Sequence, residues 1–129
     1  MIIRKYNPTK DFEALMKVII SEGEDWSCYS SVASQEKYAK ALENSITYLA
    51  FDDGKLCGYS RSFDDNGYCI HVCDLLVQRD HRGKAIGRQL MEILIEAYPD
   101  HDIYVMSDVD PYYEKLGYPK KGSIFQVIK

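Results

Sequence analysis

The feature that most constrains this chain is the stretch 68–98, in which a long apolar strand, a basic loop of small residues and an amphipathic helix follow one another without a break. Tyr68 to Val77 reads as the strand. Its alternation changes parity midway: Ile70 and Val72 share one parity, Leu75 and Val77 the other. Moving the apolar set of a strand between parities requires one inserted residue, so a β-bulge is expected near Cys73-Asp74. A bulge splays the neighbouring strand and leaves backbone groups unpaired, which opens a slot in a sheet. After Gln78 the loop reads Arg-Asp-His-Arg-Gly-Lys-Ala-Ile-Gly-Arg. Over about 84–98, Ile86, Leu90, Met91, Leu94 and Ile95 then lie on one stripe, and Pro99 stops the helix.

The remaining elements follow from period and punctuation. Ile2 to Tyr6 is a short strand broken by Asn7-Pro8, and Thr9 is placed to cap a helix over about 10–21. Residues 22–25 form an acidic loop, and Ser34 is placed to cap a helix over about 35–44 with Tyr38, Ala41 and Leu42 on one side. Strands at 46–51 and 56–63 make a hairpin about Asp52-Asp53-Gly54-Lys55, and Asp64 to Gly67 turns into the long strand. A strand at 103–106 precedes a short helix at 111–116, with Asp110 to cap it, Pro111 at its first position and Gly117 at its exit. A last strand is expected at 123–128. The order is β-α-α-β-β-β-α-β-α-β, a mixed α+β fold in one domain, 1–129.

Composition narrows the function classes. Sixteen basic and twenty acidic residues give a formal charge of −4, which argues against a general nucleic-acid binder. No apolar run approaches the roughly 18 residues of a membrane span. The N-terminus lacks the layout of a signal peptide, so a cytoplasmic protein with no membrane partner is expected. The loop 79–88 carries a formal charge of +3, leaving −7 for the rest of the chain. Small residues at 83, 85 and 87 let a ligand approach the backbone, and free amides of the following first turn favour an anion there. The spacing is neither that of a dinucleotide-binding fingerprint nor that of a P-loop. Four cysteines without a C-x-x-C or a secretory signal make a disulfide framework improbable. Cys69, His71 and Cys73 alternate and so share one strand face in principle. A metal-binding protein is one reading of them; a buried strand with small thiols is favoured, with no metal expected.

Arg82-Gly83-Lys84-Ala85-Ile86-Gly87 resembles the acetyl-CoA loop of the GCN5-related N-acetyltransferase (GNAT) superfamily, and Tyr112-Tyr113-Glu114-Lys115-Leu116-Gly117-Tyr118 resembles its aromatic-Tyr-Glu-Lys-Leu-Gly-aromatic segment. The two motifs stand about thirty residues apart in the right order, and the element order matches over nearly the whole chain. The resemblance implies a mostly antiparallel central sheet splayed at a bulge in the fourth strand and flanked by helices. It implies acetyl-CoA as cosubstrate, its pantetheine beside Leu75, Leu76 and Val77 and its pyrophosphate on the loop from Arg82 through Gly83, Lys84, Ala85, Ile86 and Gly87 to Arg88. An amine of a small molecule or peptide would attack the thioester directly. Tyr113 would be the general acid, and Asp74 at the bulge the first candidate for general base, directly or through water. His71, Asp108 and Asp110 are weaker candidates, and His81 is expected at the surface. Trp26, Tyr29, Glu24, Asp25, Tyr59 and Arg61 would line the acceptor pocket. Ala85 stands where the family has Gly and is expected within the first helical turn, where Ala is harmless. Many relatives dimerise and carry a further C-terminal strand, so a homodimer, or an acceptor side completed by another subunit, is compatible with the resemblance. The alternative function is a non-catalytic acyl-CoA-binding regulatory module with the same fold.

Overall fold

The computed structural model describes residues 1–129. Five strands form one sheet in the order β1-β2-β3-β4-β5: β1 is Ile2–Lys5, β2 Ile46–Asp52, β3 Lys55–Asp64, β4 Cys69–Val77 and β5 Asp102–Val105. The first four strands run antiparallel, and β5 lies parallel to β4. The helices are α1 (Phe12–Ser21), the single turn α2 (Ser27–Ser30), α3 (Val32–Glu43), α4 (Ile86–Ala97) and α5 (Asp110–Lys115). Because β4 and β5 are parallel, the chain between them must cross over, and α4 is that crossover.

Each sheet face buries its own set of side chains. On one face Leu15, Met16, Val18 and Ile19 of α1 and Tyr38 and Leu42 of α3 pack on Leu49, Tyr59 and Leu76. On the other, Ile86, Leu90, Met91 and Leu94 of α4 pack on Tyr48, Ala50, Cys57 and Val72. The alternation of Tyr48, Leu49 and Ala50 between the two sets is the period-2 rule of a strand covered on both faces. Ile95 does not join the α4 stripe; it is exposed, since the stripe is completed by Gly87 and Met91.

The bulge stands where the parity change placed it. The β3–β4 register pairs Arg61 with Asp74 and Ser62 with Val72, so Cys73 is the unpaired extra residue. Val72 ahead of it and Leu75 and Val77 after it all face α4, while Leu76 faces α1 and α3.

Several local expectations are corrected. The first helix begins after Asp11, not Thr9: the Asp11 carboxylate accepts bonds from Arg4 at 2.8 and 2.9 Å and from the Asn7 N–H at 2.7 Å, tying β1 to the helix start. The second long helix starts at Val32 with Ser31, not Ser34, at the cap position. Beyond the acidic loop expected at 22–25, residues 24–30 form a 3₁₀ turn and α2. Asp110 is the first residue of α5 rather than its cap, and Val109 precedes it. No strand forms at 123–128. No backbone hydrogen bond joins residues 119–129 to the sheet, and Ile124, Phe125, Val127 and Ile128 are all exposed. Alternating apolar residues become a strand only where a sheet edge accepts their amides, and β5, four residues long, receives none of them.

Candidate active site

The slot is a consequence of unequal strand lengths. β5 pairs with β4 only from Cys69 to Val72, and the last link is the Met106 N–H to the Val72 carbonyl at 3.0 Å. From the bulge onward, β4 pairs with β3 alone, through Arg61–Asp74, Ser60–Leu75, Tyr59–Leu76 and Gly58–Val77. Every second amide and carbonyl of this half-strand points away from β3, toward the space between β4 and the segment after β5.

The loop at the end of β4 presents a run of open amides. The Arg82 N–H reaches the Arg79 carbonyl at 3.3 Å and the Gln89 N–H reaches the Ala85 carbonyl at 3.0 Å; between them, no amide from Gly83 to Arg88 donates to a backbone carbonyl. These are the orphan donors of a helix N-terminus, joined by the left-handed turn that precedes it. Ala85 is that turn. It is the N-cap of α4 at φ 62°, left-handed, and not a residue of the first helical turn as the sequence suggested. The conformation costs Ala about 1–2 kcal/mol relative to the right-handed one.

The loop's positive charges are largely engaged by protein carboxylates. Arg82 donates through Nε to the Val77 carbonyl at 2.9 Å and through Nη2 to Glu22, whose nearly buried carboxylate also faces Arg79 at 3.8 Å. Lys84 lies 3.3 Å from Asp52, and Arg88 3.6 Å from Glu92. What the loop offers an anion is therefore mostly oriented N–H groups. His81 is not a surface residue: its side chain is largely covered and its Nε2 lies 3.8 Å from Asp52.

Asp74 is buried under the α3 face. Its Oδ2 accepts a hydrogen bond from Arg61 Nε at 2.5 Å and one from the Tyr38 hydroxyl at 2.5 Å. The Tyr38 hydroxyl is also bonded to that of Tyr59 at 2.7 Å. Tyr29 packs on Tyr38 with ring centroids 4.5 Å apart, and Trp26 contacts both Tyr29 and Tyr59. Burial first, and the Asp74 charge next, push the phenols of Tyr29 and Tyr38 far above their ordinary range. They stay neutral donors at any physiological pH.

The structure thus gathers four of the six residues expected at the acceptor pocket (Trp26, Tyr29, Tyr59 and Arg61) around Asp74, with Tyr59 fully buried. Glu24 and Asp25 lie beside them in sequence but project into solvent. Sequence reasoning missed Tyr38. It sits on the inward stripe of α3 and reads as core; only the fold brings it to Asp74, 36 residues away. Glu22, expected in the acidic loop and with the acidic residues of the acceptor side, instead ties the end of α1 to the loop after β4.

Tyr113 lies on α5 between Tyr112 and Tyr118, at centroid distances of 5.0 and 6.4 Å. Burial, with smaller contributions from Tyr112, Asp108 and Tyr118, pushes its phenol up to about 12. Tyr112, which the sequence reading passed over, stands across the slot. Its hydroxyl oxygen lies 2.2 Å from where a Cβ on Gly87 would be. A Cβ at position 87 would therefore force the Tyr112 side chain to move.

Comparison with known proteins agrees with this architecture. The family model for acetyltransferases of the GNAT family matches residues 13–118. The chain belongs to the GNAT acetyltransferase family. It is 27% identical over 95 residues to the uncharacterized N-acetyltransferase ycf52 of Pyropia yezoensis, a match covering 66% of this chain and 55% of that protein. It is 30% identical over 69 residues to a chloroplastic GCN5-related N-acetyltransferase of Arabidopsis thaliana, covering 50% of this chain and 27% of the relative. The matched region therefore spans about half or less of these curated relatives. Among solved structures, a ribosomal-protein-alanine N-acetyltransferase from Brucella melitensis biovar Abortus 2308 superposes with a TM-score of 0.76 at 18% identity, covering 100% of this chain and 99% of that one. A GNAT-family acetyltransferase from Streptococcus pneumoniae TIGR4 gives 0.74 at 20% identity, covering 99% and 98%. These likenesses establish the fold. No helix is long and apolar enough to cross a membrane.

Proposed function

We propose that this chain is an N-acetyltransferase that moves an acetyl group from acetyl-CoA to a primary amine of a small molecule or peptide, by direct attack in a ternary complex. The observation that carries this reading is the run of amides from Gly83 to Arg88 without carbonyl partners, at the mouth of a half-strand whose outer edge is unpaired. An elongated acyl thioester with a pyrophosphate fits such a donor set: Leu75, Leu76 and Val77 flank the arm, and Gly83, Lys84, Ala85, Ile86, Gly87 and Arg88 hold the phosphates. When bound, acetyl-CoA supplies an activated acyl group on a thiol leaving group.

The roles of the chain's own residues follow from their surroundings. A β4 backbone N–H near Val77 stabilises negative charge developing on the acyl oxygen. Tyr113 carries its proton at neutral pH. With its phenol at about 12 it is a weaker acid than a thiol of about 8.5–10, so it serves first as a hydrogen-bond donor to the developing thiolate. Asp74 draws the proton from the ammonium form of the acceptor through water, since its carboxylate is covered and held by Arg61 and Tyr38. The aromatic surface of Trp26 and Tyr29 suits a cationic acceptor. The cytoplasm is the compartment we favour.

The first test is a thermal melt with acetyl-CoA, with dephospho-CoA and ATP as controls. A ligand at about 100 times its Kd adds about 2.7 kcal/mol, a shift of several degrees. A shift specific to acetyl-CoA justifies an amine screen read by thiol release; no shift at saturation removes the cofactor and the reading with it. Tight binding without turnover of any amine would leave the non-catalytic acyl-CoA-binding module. With an active acceptor in hand, Tyr113→Phe should lower kcat by roughly 10²-fold while acetyl-CoA affinity stays nearly intact.

A further inference from the structure

We propose that Asp65, Cys69 and His71 form a binding site for a borderline divalent transition metal, zinc above all. The site lies at the turn between β3 and β4 and is independent of the acetyl-transfer reading. The Cys69 sulfur is 3.0 Å from His71 Nε2 and 4.0 Å from Asp65 Oδ2, and the three donor atoms all fall within 4.8 Å of one another. Tetrahedral zinc with bonds of about 2.0–2.3 Å sets its donors roughly 3.3–3.7 Å apart, so the observed separations close on a metal with side-chain adjustments of at most about 1.5 Å.

The site is ordered by its surroundings. The turn is fixed by the Asp65 N–H to the Cys69 carbonyl at 2.9 Å, the Tyr68 N–H to the Asp65 carbonyl at 2.9 Å, and the Gly67 N–H to Asp64 Oδ1 at 2.7 Å. The His71 ring is stacked on Phe63 at 4.8 Å and faces Tyr104 at 6.0 Å, which holds its plane. The charged groups acting on the Cys69 sulfur, Asp65, Asp102 and Asp64, are all acidic. That field attracts a cation. The donor set selects its type: a thiolate and an imidazole suit zinc, cobalt or nickel and exclude magnesium and calcium. Cys73 is not a member. The bulge removes it from the face of Cys69 and His71, and its sulfur approaches only the His71 carbonyl at 3.8 Å.

On binding, the Cys69 S–H bond breaks, its electron pair forms the sulfur–metal bond, and the proton passes to solvent; no electron is transferred. A metal here ties the turn to β4 two residues ahead of the bulge, bracing the strand where it parts from β5.

The test uses tag-free full-length protein stripped with chelator and titrated with Co²⁺. One equivalent should produce the ultraviolet sulfur-to-cobalt charge-transfer absorption, which Zn²⁺ erases and Mg²⁺ does not. Cys69→Ser should abolish the band, and Cys28→Ser should leave it. Asp65→Asn, on an exposed turn residue where folding is not at risk, should weaken Co²⁺ binding at least tenfold. No charge-transfer band at saturating Co²⁺, a band that survives Cys69→Ser, or Asp65→Asn binding as the parent does, would each overturn the site. If Cys69→Ser fails to fold, Asp65→Asn decides.

Discussion

At Asp74 the negative charge is committed before any acceptor arrives, because the same oxygen takes the Arg61 Nε–H and the Tyr38 hydroxyl. Asp74→Asn keeps the shape and removes the charge. It leaves the Arg61 guanidinium, whose side chain is 17% exposed, without its counter-ion. Fully buried pairs lose about 3–5 kcal/mol on such a change; with this exposure we expect roughly 2–4 kcal/mol, measured by urea unfolding. The catalytic role makes a separate demand. In the folded fraction at low temperature, kcat should fall by roughly 10²-fold or more with little change in KM. A variant that loses stability but keeps kcat makes Asp74 a structural carboxylate only. Ala85 gives a second residue-scale expectation. Ala85→Gly relieves about 1–2 kcal/mol of left-handed strain and gives back about 0.4–1 through the freer unfolded chain. The net is a gain of roughly 0.5–1 kcal/mol, or about 2–5 °C in Tm; a fall in Tm would show that the strain is absorbed elsewhere.

Two elements approach each other closely at the slot: the first turn of α4 and the α5 residue Tyr112. Gly87 is helical, so Ala there would ordinarily stabilise by about 1 kcal/mol. Here its Cβ would stand 2.2 Å from the Tyr112 hydroxyl oxygen and 3.3 Å from the ring carbon that bears it. Gly87→Ala should therefore destabilise by about 1–2 kcal/mol in the parent. In a Tyr112→Ala background the same change should stabilise. Thermal melts of the four proteins in this cycle give the sign reversal directly, and additive effects would mean the two elements do not touch. This contact also shows where sequence reading stops. Parity along β4 located the bulge at Cys73, because an inserted residue leaves a trace in the strand's own pattern. The small residues of the loop located the open amides for a similar local reason. Tyr112 over Gly87, Glu22 on Arg82 and Tyr38 on Asp74 left no such trace, since each pair is brought together only by tertiary packing. The strand expected at 123–128 failed for the opposite reason. Its local pattern is right, but no edge takes it up.

Seen as a whole, the molecule gathers much of its aromatic content around the two halves of the site, and this sets its response to alkali. Of eleven tyrosines, seven have phenols raised by burial: Tyr6, Tyr29, Tyr38, Tyr48, Tyr59, Tyr112 and Tyr113. The folded state holds these protons more tightly than the unfolded chain, whose phenols ionise near 10. The folded state therefore binds more protons above that pH, and stability must fall as pH rises. Below pH 10 both states are protonated and the effect is absent. For Tyr113 the loss accumulates from pH 10 to about 12, where the folded phenol itself ionises. Each resisting phenol contributes at most about 1.4 kcal/mol per pH unit in this window. Several acting together amount to a loss of several kcal/mol per unit, comparable with the whole stability of a domain this size. Unfolding free energy from guanidinium titrations should thus be flat with respect to these groups from pH 7 to about 9.5 and drop steeply above 10. The tyrosinate absorbance of these seven phenols should rise in step with unfolding, not ahead of it. A smooth native titration of all eleven phenols near pH 10, with the fold intact, would show that the aromatic cluster around Asp74 is open to solvent. The Asp74 network could not then hold a proton path apart from bulk water.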